Sequence, residues 1–553
     1  MKFFQPMLFS TIKNYKQEQL LKDVISGIIV AIIALPLSIA LSLASGASPE
    51  IGIYTAIIGG FVIGFFGGSA VQISGPTAAF ANIVASIIAQ YGMDGLAVIT
   101  IMAGLILVLM GLFKIGSLIK FIPQTITIGF TSGIAVTIFI GQLKDFFGIN
   151  YANAEKPIEA IEKLELFIHY FNSFNPYAVI LGLVCLFVLI VWQKLPKAFR
   201  KIPASLVAVL VGVLVSFMMS EKVNTIGDLY TISNSLPSFH LPEFNFDLLG
   251  VYLPQAITVA VLAGVESLLS CVVADEMSGT KHRSNTELIG QGLGNIACGM
   301  FGALPATGAI ARTTANVNNG AKTPISALVH SLVLLLILVV LMPYAAFIPM
   351  PAISAILFIV AYNMSCLKSF VRLLKIAPKS DIIVMLLTFS LTVIFDLVVA
   401  IQIGLLLACI LFMKRMSEQI KINSWKYLSE NEQDDKLINL PKYIRVYEIN
   451  GPLFFASTSE ISKIKLKKYT NSLIIRMGAV ISLDITAFYA IEKLFAKCKE
   501  QNVNLVFSHV NPQVMSVFTK SGFIDEIGKE NICPKINAAI ERCENLYKSN
   551  TKN

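Results

Sequence analysis

Long apolar segments recur along most of this chain, and they limit what it can fold into. Segments of about 17–25 mainly apolar residues, the length at which a helix crosses a bilayer, follow one another from about residue 24 to residue 413. Hydrophobic residues make up 55% of the 553 residues and charged residues 14%, whereas soluble domains carry about 25% charged residues. The sequence therefore predicts a polytopic α-helical membrane protein.

Fourteen segments are predicted, and two of them are too short or too interrupted to cross a membrane alone. They lie at 24–44, 51–67, 77–91, 94–113, 123–142, 176–193, 203–219, 253–274, 284–301, 309–317, 325–346, 352–367, 381–397 and 398–413. The composition becomes that of a soluble domain after residue 415. We therefore expect an N-terminal segment (1–23), a transmembrane transport domain (24–415), a linker (416–440) and an α/β domain (441–548).

The charges predict an orientation. The net charge is +9, but the lysines and arginines cluster beside apolar segments, which is typical of membrane topology and not of a nucleic-acid-binding surface. With the N-terminus inside, basic loops fall on the cytoplasmic side and the two acidic loops on the other. Both termini are thus predicted to be cytoplasmic in a multi-pass protein of the cell (inner) membrane. The basic N-terminus predicts no cleavable signal peptide.

The cysteines and histidines are scattered and none has metal-ligand spacing. We expect no metal, no cofactor, no nucleic acid and no enzymatic activity, because no P-loop, catalytic triad or metal cluster is visible.

Two similar stretches break the apolar pattern. QISGPTAAFANI (72–83) precedes the third segment, and LPATGAIARTTA (304–315) precedes or forms the tenth. They hold the third position in each set of seven segments, and seven is odd, so the two halves would insert with opposite topology. Interrupted segments at matching positions of inverted halves indicate the central site of a transporter. The alternative is a pair of re-entrant loops with a structural role only.

A helix that begins inside the membrane leaves its first N–H groups unpaired and carries partial positive charge there. Two such helix starts would form an anion site without any charged side chain. The predicted substrate-binding residues are Gly75, Pro76, Thr77, Ala78, Thr307, Gly308, Ala309, Ile310, Ala311 and Arg312. Arg312 would add a full positive charge, which is costly at membrane depth unless a water-filled cavity or an anion compensates. Snorkelling to the surface or pairing with a carboxylate are the alternatives.

Glu266 is the one acid well inside the eighth segment, and Ser270 lies one turn later on the same helix face. Burial favours the protonated form of a carboxyl group, so Glu266 could exchange a coupling proton near neutral pH. It could instead hold Arg312 and the two helix starts in place. Asp396 is a weaker candidate near the end of a segment.

The chain resembles the bacterial sulfate-permease (SulP) family of anion transporters. The matching stretches include GIIVAIIALPLSIALSLASG (27–46), QISGPTAAFANI, LAGVESLLSCVVADEMSGTKHRSNTELIGQGLGNI (262–296) and ALPATGAIARTTANVNNGAKTP, which begins at Ala303. The resemblance implies a seven-plus-seven inverted repeat, with half-helices in segments 3 and 10. A core domain (segments 1–4 and 8–11) would carry the anion past a gate domain (segments 5–7 and 12–14).

This chain differs from the family that it resembles at several positions of the expected site. Some members have a glutamine and an aromatic residue after the first-segment proline, where this chain has Leu37 after Pro36 and Leu41 nearby. We expect a drier pocket that depends more on backbone groups. Sodium-coupled bicarbonate members carry aspartate and threonine where Glu266 and Ser270 stand, which favours proton coupling or exchange over sodium here.

Residues 441–548 alternate strand and helix signals, which predicts an α/β layer structure. YIRVYEINGPLFFAS is predicted as two strands joined by a turn at residues 450–452. The segment resembles the STAS domain, in whose soluble relatives the hydroxyl residue two positions after a loop aspartate is phosphorylated. That position is Thr486 here, after Asp484, but Ala487 replaces the usual glycine. A packing and dimerisation module is the alternative role.

The sequence thus predicts secondary active transport of a small anion, of the sulfate, bicarbonate or C4-dicarboxylate class, by proton symport or anion exchange and an elevator-like motion. The expected partners are the anion, a coupling proton or sodium, the lipid bilayer and a second copy of the chain. An anion channel of the same fold, a sodium-coupled bicarbonate symporter and a membrane-anchored signalling protein are the alternatives.

Overall fold

A computed structural model describes residues 4–12, 15, 17–117, 123–151, 159–192, 194–196, 202–219, 222–242, 248–395, 397–424 and 440–550. These residues divide into two compact units, Met1–Leu406 and Leu407–Asn553. The first unit is almost wholly helical. The second contains a five-stranded sheet.

The first half of the helical unit contains one long broken helix. The elements are α1 (Met7–Thr11), α2 (Gln17–Ala44), α3 (Pro49–Phe66), β1 (Ser74–Gly75), α4 (Ala78–Leu112), α5 (Gln124–Phe147), α6 (Ala160–His169), α7 (Pro176–Trp192) and α8 (Ala204–Met218). Helix α4 covers the third and fourth predicted segments. Gly92 interrupts it with φ 70° and ψ −173°, a conformation that glycine adopts without steric cost.

In the second half, the helix that follows the broken stretch is short. Its elements are α9 (Ile226–Leu229), α10 (Leu249–Ser278), α11 (Ser284–Met300), β2 (Thr307–Gly308), α12 (Ile310–Asn318), α13 (Ile325–Leu341), α14 (Met350–Met364), α15 (Leu367–Ile376), α16 (Lys379–Ile394) and α17 (Leu397–Glu418). Helices overlie every predicted segment. Among the described residues, seven helical stretches are long and apolar enough to cross a membrane.

Glycines allow several of these helices to pack closely. A Cβ on Gly104 of α4 would lie 2.6 Å from the carbonyl oxygen of Gly292 in α11, and a Cβ on Gly292 would lie 2.5 Å from that of Gly104. Small residues let membrane helices approach closely enough for backbone contact. This reciprocal contact joins α4, which follows the first broken stretch, to α11, which precedes the second.

The second unit is an α/β layer structure. Its elements are β3 (Lys421–Ser424), β4 (Ile444–Asn450), α18 (Thr458–Ser462), β5 (Ser472–Ala479), α19 (Ile485–Glu500), β6 (Asn504–Ser508), α20 (Pro512–Lys520), α21 (Phe523–Ile527), β7 (Ile532–Cys533) and α22 (Ile536–Asn550). The strand order is β3-β4-β5-β6-β7. Only β3 is antiparallel to its neighbour.

Alternate residues of the central strands face two apolar layers. On β5, Leu473 and Ile475 pack against α19, α20 and α21, whereas Ile474 packs on the other face against α22. This alternation follows from the two-residue repeat of a strand. The buried strands therefore read as continuous apolar runs in the sequence.

Two details of the second unit differ from the prediction. LFFAS, predicted as a second strand, does not form one: Leu453 makes an isolated bridge to Leu483, and Phe455–Ser457 is a 3₁₀ turn. Pro452 has no N–H to donate, and the N–H of Phe455 is taken by the Asp484 side chain at 2.8 Å. In addition, β3 lies within the predicted linker (416–440), where no strand was predicted. The rest of that linker, 425–439, lies outside the described residues.

Candidate functional site

The two broken stretches meet in the structure. Ser74 and Gly75 of β1 pair antiparallel with Gly308 and Thr307 of β2, and all four residues are buried. Helix α4 begins three residues after β1, and α12 begins two residues after β2. The pairing therefore places two helix N-termini beside one short strand crossing.

The starts of both helices leave backbone donors free. The N–H of Ala309 donates to the carbonyl of Ile73 at 2.9 Å, which ties α12 to the chain before β1. Within the described hydrogen bonds, the N–H groups of Ala78, Ala79, Ile310 and Ala311 have no acceptor. Ile310 and Ala311 are exposed, so the start of α12 borders an open space. Such a start carries partial positive charge and suits an anion.

Arg312 is buried, with only 3% of its surface exposed. Its Nη2 donates to the carbonyl of Pro76 at 2.5 Å, so α12 is joined to the start of α4. Its Nη1 is buried with no hydrogen-bond partner and lies 2.6 Å from where a Cβ on Gly75 would be. One half of the guanidinium is thus used to hold the two helix starts together. The other half is a buried donor available to a ligand.

Glu266 faces the same place from α10. Its carboxylate accepts a hydrogen bond from the Thr77 hydroxyl at 2.9 Å, and the residue is half-buried. These two side chains connect the middle of α10 to the first residue before α4. Arg312 and Glu266 do not form an ion pair, because no guanidinium nitrogen lies within 4.0 Å of a carboxylate oxygen. The cation and the carboxylate therefore flank the crossing separately.

The hydroxyl groups of the two remaining candidates, Thr307 and Ser270, donate hydrogen bonds to other groups of the protein. The Thr307 hydroxyl donates to the carbonyl of Ala263 at 2.9 Å. The Ser270 hydroxyl donates to the Thr313 side chain at 3.2 Å, which in turn accepts from the Ile73 N–H at 3.1 Å. Both Ser270 and Thr307 are fully buried. Their hydroxyl protons hold α10 against the strand crossing and α12.

A buried polar network around Glu287 lies beside the β1–β2 pairing, and none of its residues was among the predicted site residues. The Glu287 carboxylate, 1% exposed, accepts from the N–H groups of Gly68 at 2.8 Å and Ser69 at 3.2 Å. It also accepts from Gln72 at 3.0 Å, Ser267 at 2.9 Å and Gln291 at 2.9 Å. A carboxylate only accepts, and here every partner donates. The signal in the sequence was an acid inside the apolar ninth segment.

This network supports the backbone of the site directly. Gln72 lies two residues before β1, and a Cβ on Gly308 would lie 2.0 Å from its Nε2. The side chain of Asn295, also buried, donates to the carbonyl of Ala306 and accepts from its N–H, each at 2.9 Å. Glu287 and Asn295 thus hold β1 and the segment before β2 from the side of α11.

The other candidates lie elsewhere. Asp396 is outside the described residues. Thr486 is exposed in the first turn of α19, where the Asp484 side chain caps the helix by accepting from the Ala487 N–H at 2.8 Å. Within the described part of the chain, no three His, Cys, Asp or Glu side chains are arranged to hold a metal ion.

Comparisons with known proteins agree with one another. The model of the sulfate permease family matches residues 20–388, and that of the STAS domain matches residues 438–539. The putative sulfate transporter YvdB of Bacillus subtilis is 39% identical over 527 residues, which cover 94% of this chain and 97% of that protein. The bicarbonate transporter BicA of Picosynechococcus sp. is 30% identical over 510 residues, covering 88% of each.

Two solved structures are similar over most of the chain. The overall structure of SLC26A9 has a TM-score of 0.85 at 17% identity and covers 99% of this chain and 93% of that one, a likeness of fold. The transmembrane domain of a cyanobacterium bicarbonate transporter, BicA, has a TM-score of 0.62 at 28% identity. It covers 71% of this chain and 98% of that one.

Proposed function

The chain belongs to the sulfate permease family of anion transporters, and from that premise we propose that it is a secondary active transporter that holds a small anion between the starts of α4 and α12. One observation carries the proposal. The β1–β2 pairing brings together two helix N-termini with free N–H groups and the free Nη1 of Arg312. Backbone donors and one guanidinium are a suitable environment for a desolvated anion.

Glu266 is proposed to carry the coupling proton. It is half-buried and bonded to Thr77 at the start of α4, and it forms no direct ion pair with Arg312. A carboxyl group in such a place can take up and release a proton as the anion binds and leaves. This favours proton symport or anion exchange over sodium coupling.

The remaining parts of the proposal concern the whole transporter. The fourteen helical segments would form two inverted repeats, with both termini cytoplasmic in the cell (inner) membrane. A core of segments 1–4 and 8–11 would move as an elevator along a gate of segments 5–7 and 12–14. The lysine- and arginine-rich loops support this orientation. The protein would act as a homodimer.

The substrate class is sulfate, bicarbonate or a C4-dicarboxylate. Relatives named as sulfate transporters and as bicarbonate transporters support the first two. A site built from N–H groups and one arginine has no feature specific for one oxyanion shape.

Uptake by proteoliposomes tests this proposal. Radiolabelled sulfate, bicarbonate and succinate are supplied with and without an inward proton gradient, and with and without sodium. We expect accumulation of one of them above its external concentration when the proton gradient is present. Movement that only equalises the concentrations would instead identify a channel. A strict sodium requirement would identify a sodium symporter.

A further inference from the structure

A cavity lined by both polar and apolar side chains lies beside α4, next to the candidate site. Its volume is about 240 Å³, and its wall on α4 begins at Ala79, next to the site residue Ala78, and ends at Gln90. Along α4 it is lined by Asn82, Ser86 and Gln90, which recur every four residues and so form one stripe. The rise over the eleven helical steps from Ala79 to Gln90 is about 16 Å. The cavity therefore extends along α4 away from the residue that follows Ala78.

The opposite wall comes from different helices. Thr137 of α5 and Thr392 of α16 line it, together with the first turn of α6. The Asn82 side-chain amide donates to the Thr137 hydroxyl across the cavity. Polar side chains on helices of this apolarity face the protein interior or a water-filled cavity, because in lipid they would be costly.

One lysine lies among the lining residues. Lys163, in the first turn of α6, is half-buried, and its ammonium group makes no hydrogen bond or ion pair with a described residue. Burial lowers its pKa, and the charge of Glu162 opposes this shift. A partly desolvated ammonium group without a direct hydrogen bond or ion pair can still attract an anion.

Two acidic residues lie in the same turn of α6, but their negative charges do not cancel the positive charge of Lys163. Glu159 and Glu162 also line the cavity, but both are exposed, and their side chains form the capping box at the start of α6. Their carboxylates are thus bonded to backbone N–H groups and screened by water.

We propose that this cavity is a second, transient anion-binding site, in which Lys163 attracts the substrate anion before it passes the Asn82–Thr137 contact to the helix starts of α4 and α12. This inference rests on the proposed function. The ligand is a small oxyanion of the same class as the transported one. Lys163 acts on entry from one membrane face only, because α6 lies at one end of α5 and α16.

The test compares Lys163→Gln and Lys163→Arg with the unaltered protein in vesicles of both orientations, with radiolabelled sulfate and bicarbonate as probes. At low ionic strength we expect Lys163→Gln to raise KM about threefold to tenfold from one face, with kcat unchanged. Lys163→Arg should restore KM, and high salt should abolish the difference because it screens the charge. Lys222→Gln is the matched control, since Lys222 is exposed and outside the cavity lining.

Three outcomes would overturn the inference: an unchanged KM in Lys163→Gln, an equal rise from both faces, or the same rise in Lys222→Gln. A fall in kcat alone would also overturn it, because it would assign Lys163 to folding or motion. If the unaltered protein takes up neither probe nor any other anion tested, the proposed function itself fails. The uptake by the unaltered protein therefore tests the proposed function separately from the role of Lys163.

Discussion

Arg312 combines two functions that are normally separate. One nitrogen of its guanidinium holds the Pro76 carbonyl, and the other has no partner. Only arginine offers several donors in a rigid plane. A lysine could supply the charge but not both contacts, which explains why a costly side chain is placed between the two helix starts.

Replacing Arg312 with alanine tests this role. We expect Arg312→Ala to raise KM for the transported anion at least about tenfold, equivalent to roughly 1.4 kcal/mol of binding free energy, because the positive charge at the proposed anion site is lost. Arg312→Lys should give an intermediate KM. Uptake kinetics in proteoliposomes measure both. If KM stays unchanged in a variant that elutes as a folded protein, Arg312 does not contact the anion.

Transport driven by a proton gradient can distinguish a proton-carrying role of Glu266 from a purely structural one. Glu266→Gln keeps the hydrogen bond from Thr77 but cannot exchange a proton, so we expect it to abolish accumulation driven by a proton gradient and to spare anion exchange. Glu276→Gln, exposed near the end of the same helix, is the control. Proton-driven accumulation that survives in Glu266→Gln would leave Glu266 with a structural role only.

At the scale of elements, the strand crossing depends on the absence of a side chain at Gly308. A Cβ there would collide with the Gln72 amide at 2.0 Å, which bonds Glu287 and Ser267. Gln72 cannot move without leaving the buried Glu287 carboxylate short of a donor. Overpacking of this kind typically costs about 1–3 kcal/mol.

We therefore expect Gly308→Ala to lower the unfolding temperature in detergent by several degrees and to abolish uptake. Gly141→Ala is the matched control. Gly141 lies inside α5, and its Cβ would meet nothing within 4 Å, so the change should be neutral or slightly stabilising. Equal unfolding temperatures for the two variants would show that the Gln72–Glu287 network does not constrain β2.

The cavity along α4 gives a second test at this scale. Ser86 lines it, whereas Ala89 is exposed and outside the lining. We expect Ser86→Phe to reduce the rate of uptake strongly, because the ring would fill part of the route. Ala89→Phe should have little effect. Initial uptake rates at matched protein amounts decide the matter, and equal rates would place the substrate route elsewhere.

At the scale of the whole molecule, the helical unit and the STAS domain are separate compact units. Deletion of residues 420–553 removes β3 together with β4, so no unpaired edge strand is left behind. We expect anion uptake to be largely retained, since every residue of the candidate site precedes residue 319. Loss of all uptake in a correctly inserted truncation would support an obligatory role of the STAS domain.

Thr486 offers a finer test of that domain. Its hydroxyl is exposed, but the helix start is already capped by Asp484. If the domain only packs or dimerises, Thr486→Ala and Thr486→Asp should transport alike. A difference in uptake rate between them would support regulation by phosphorylation.

The sequence by itself determined the helical membrane class, the family resemblance, which is confirmed, and the two stretches around Thr77 and Arg312. These features are local: apolar length, small residues and a proline are visible within a dozen positions. The C-terminal STAS domain is confirmed in the same way. Its predicted second strand is wrong, because Pro452 and the Asp484 side chain removed the donors that a strand needs.

The tertiary structure alone decided how those stretches combine. The pairing of Ser74 with Gly308, the five donors around Glu287, and the use of the Thr307 hydroxyl by Ala263 join residues far apart in the chain. So does the cavity between Asn82 and Lys163. Such contacts depend on which helix faces meet, and that follows from close glycine-mediated packing of many helices at once, which no local pattern contains.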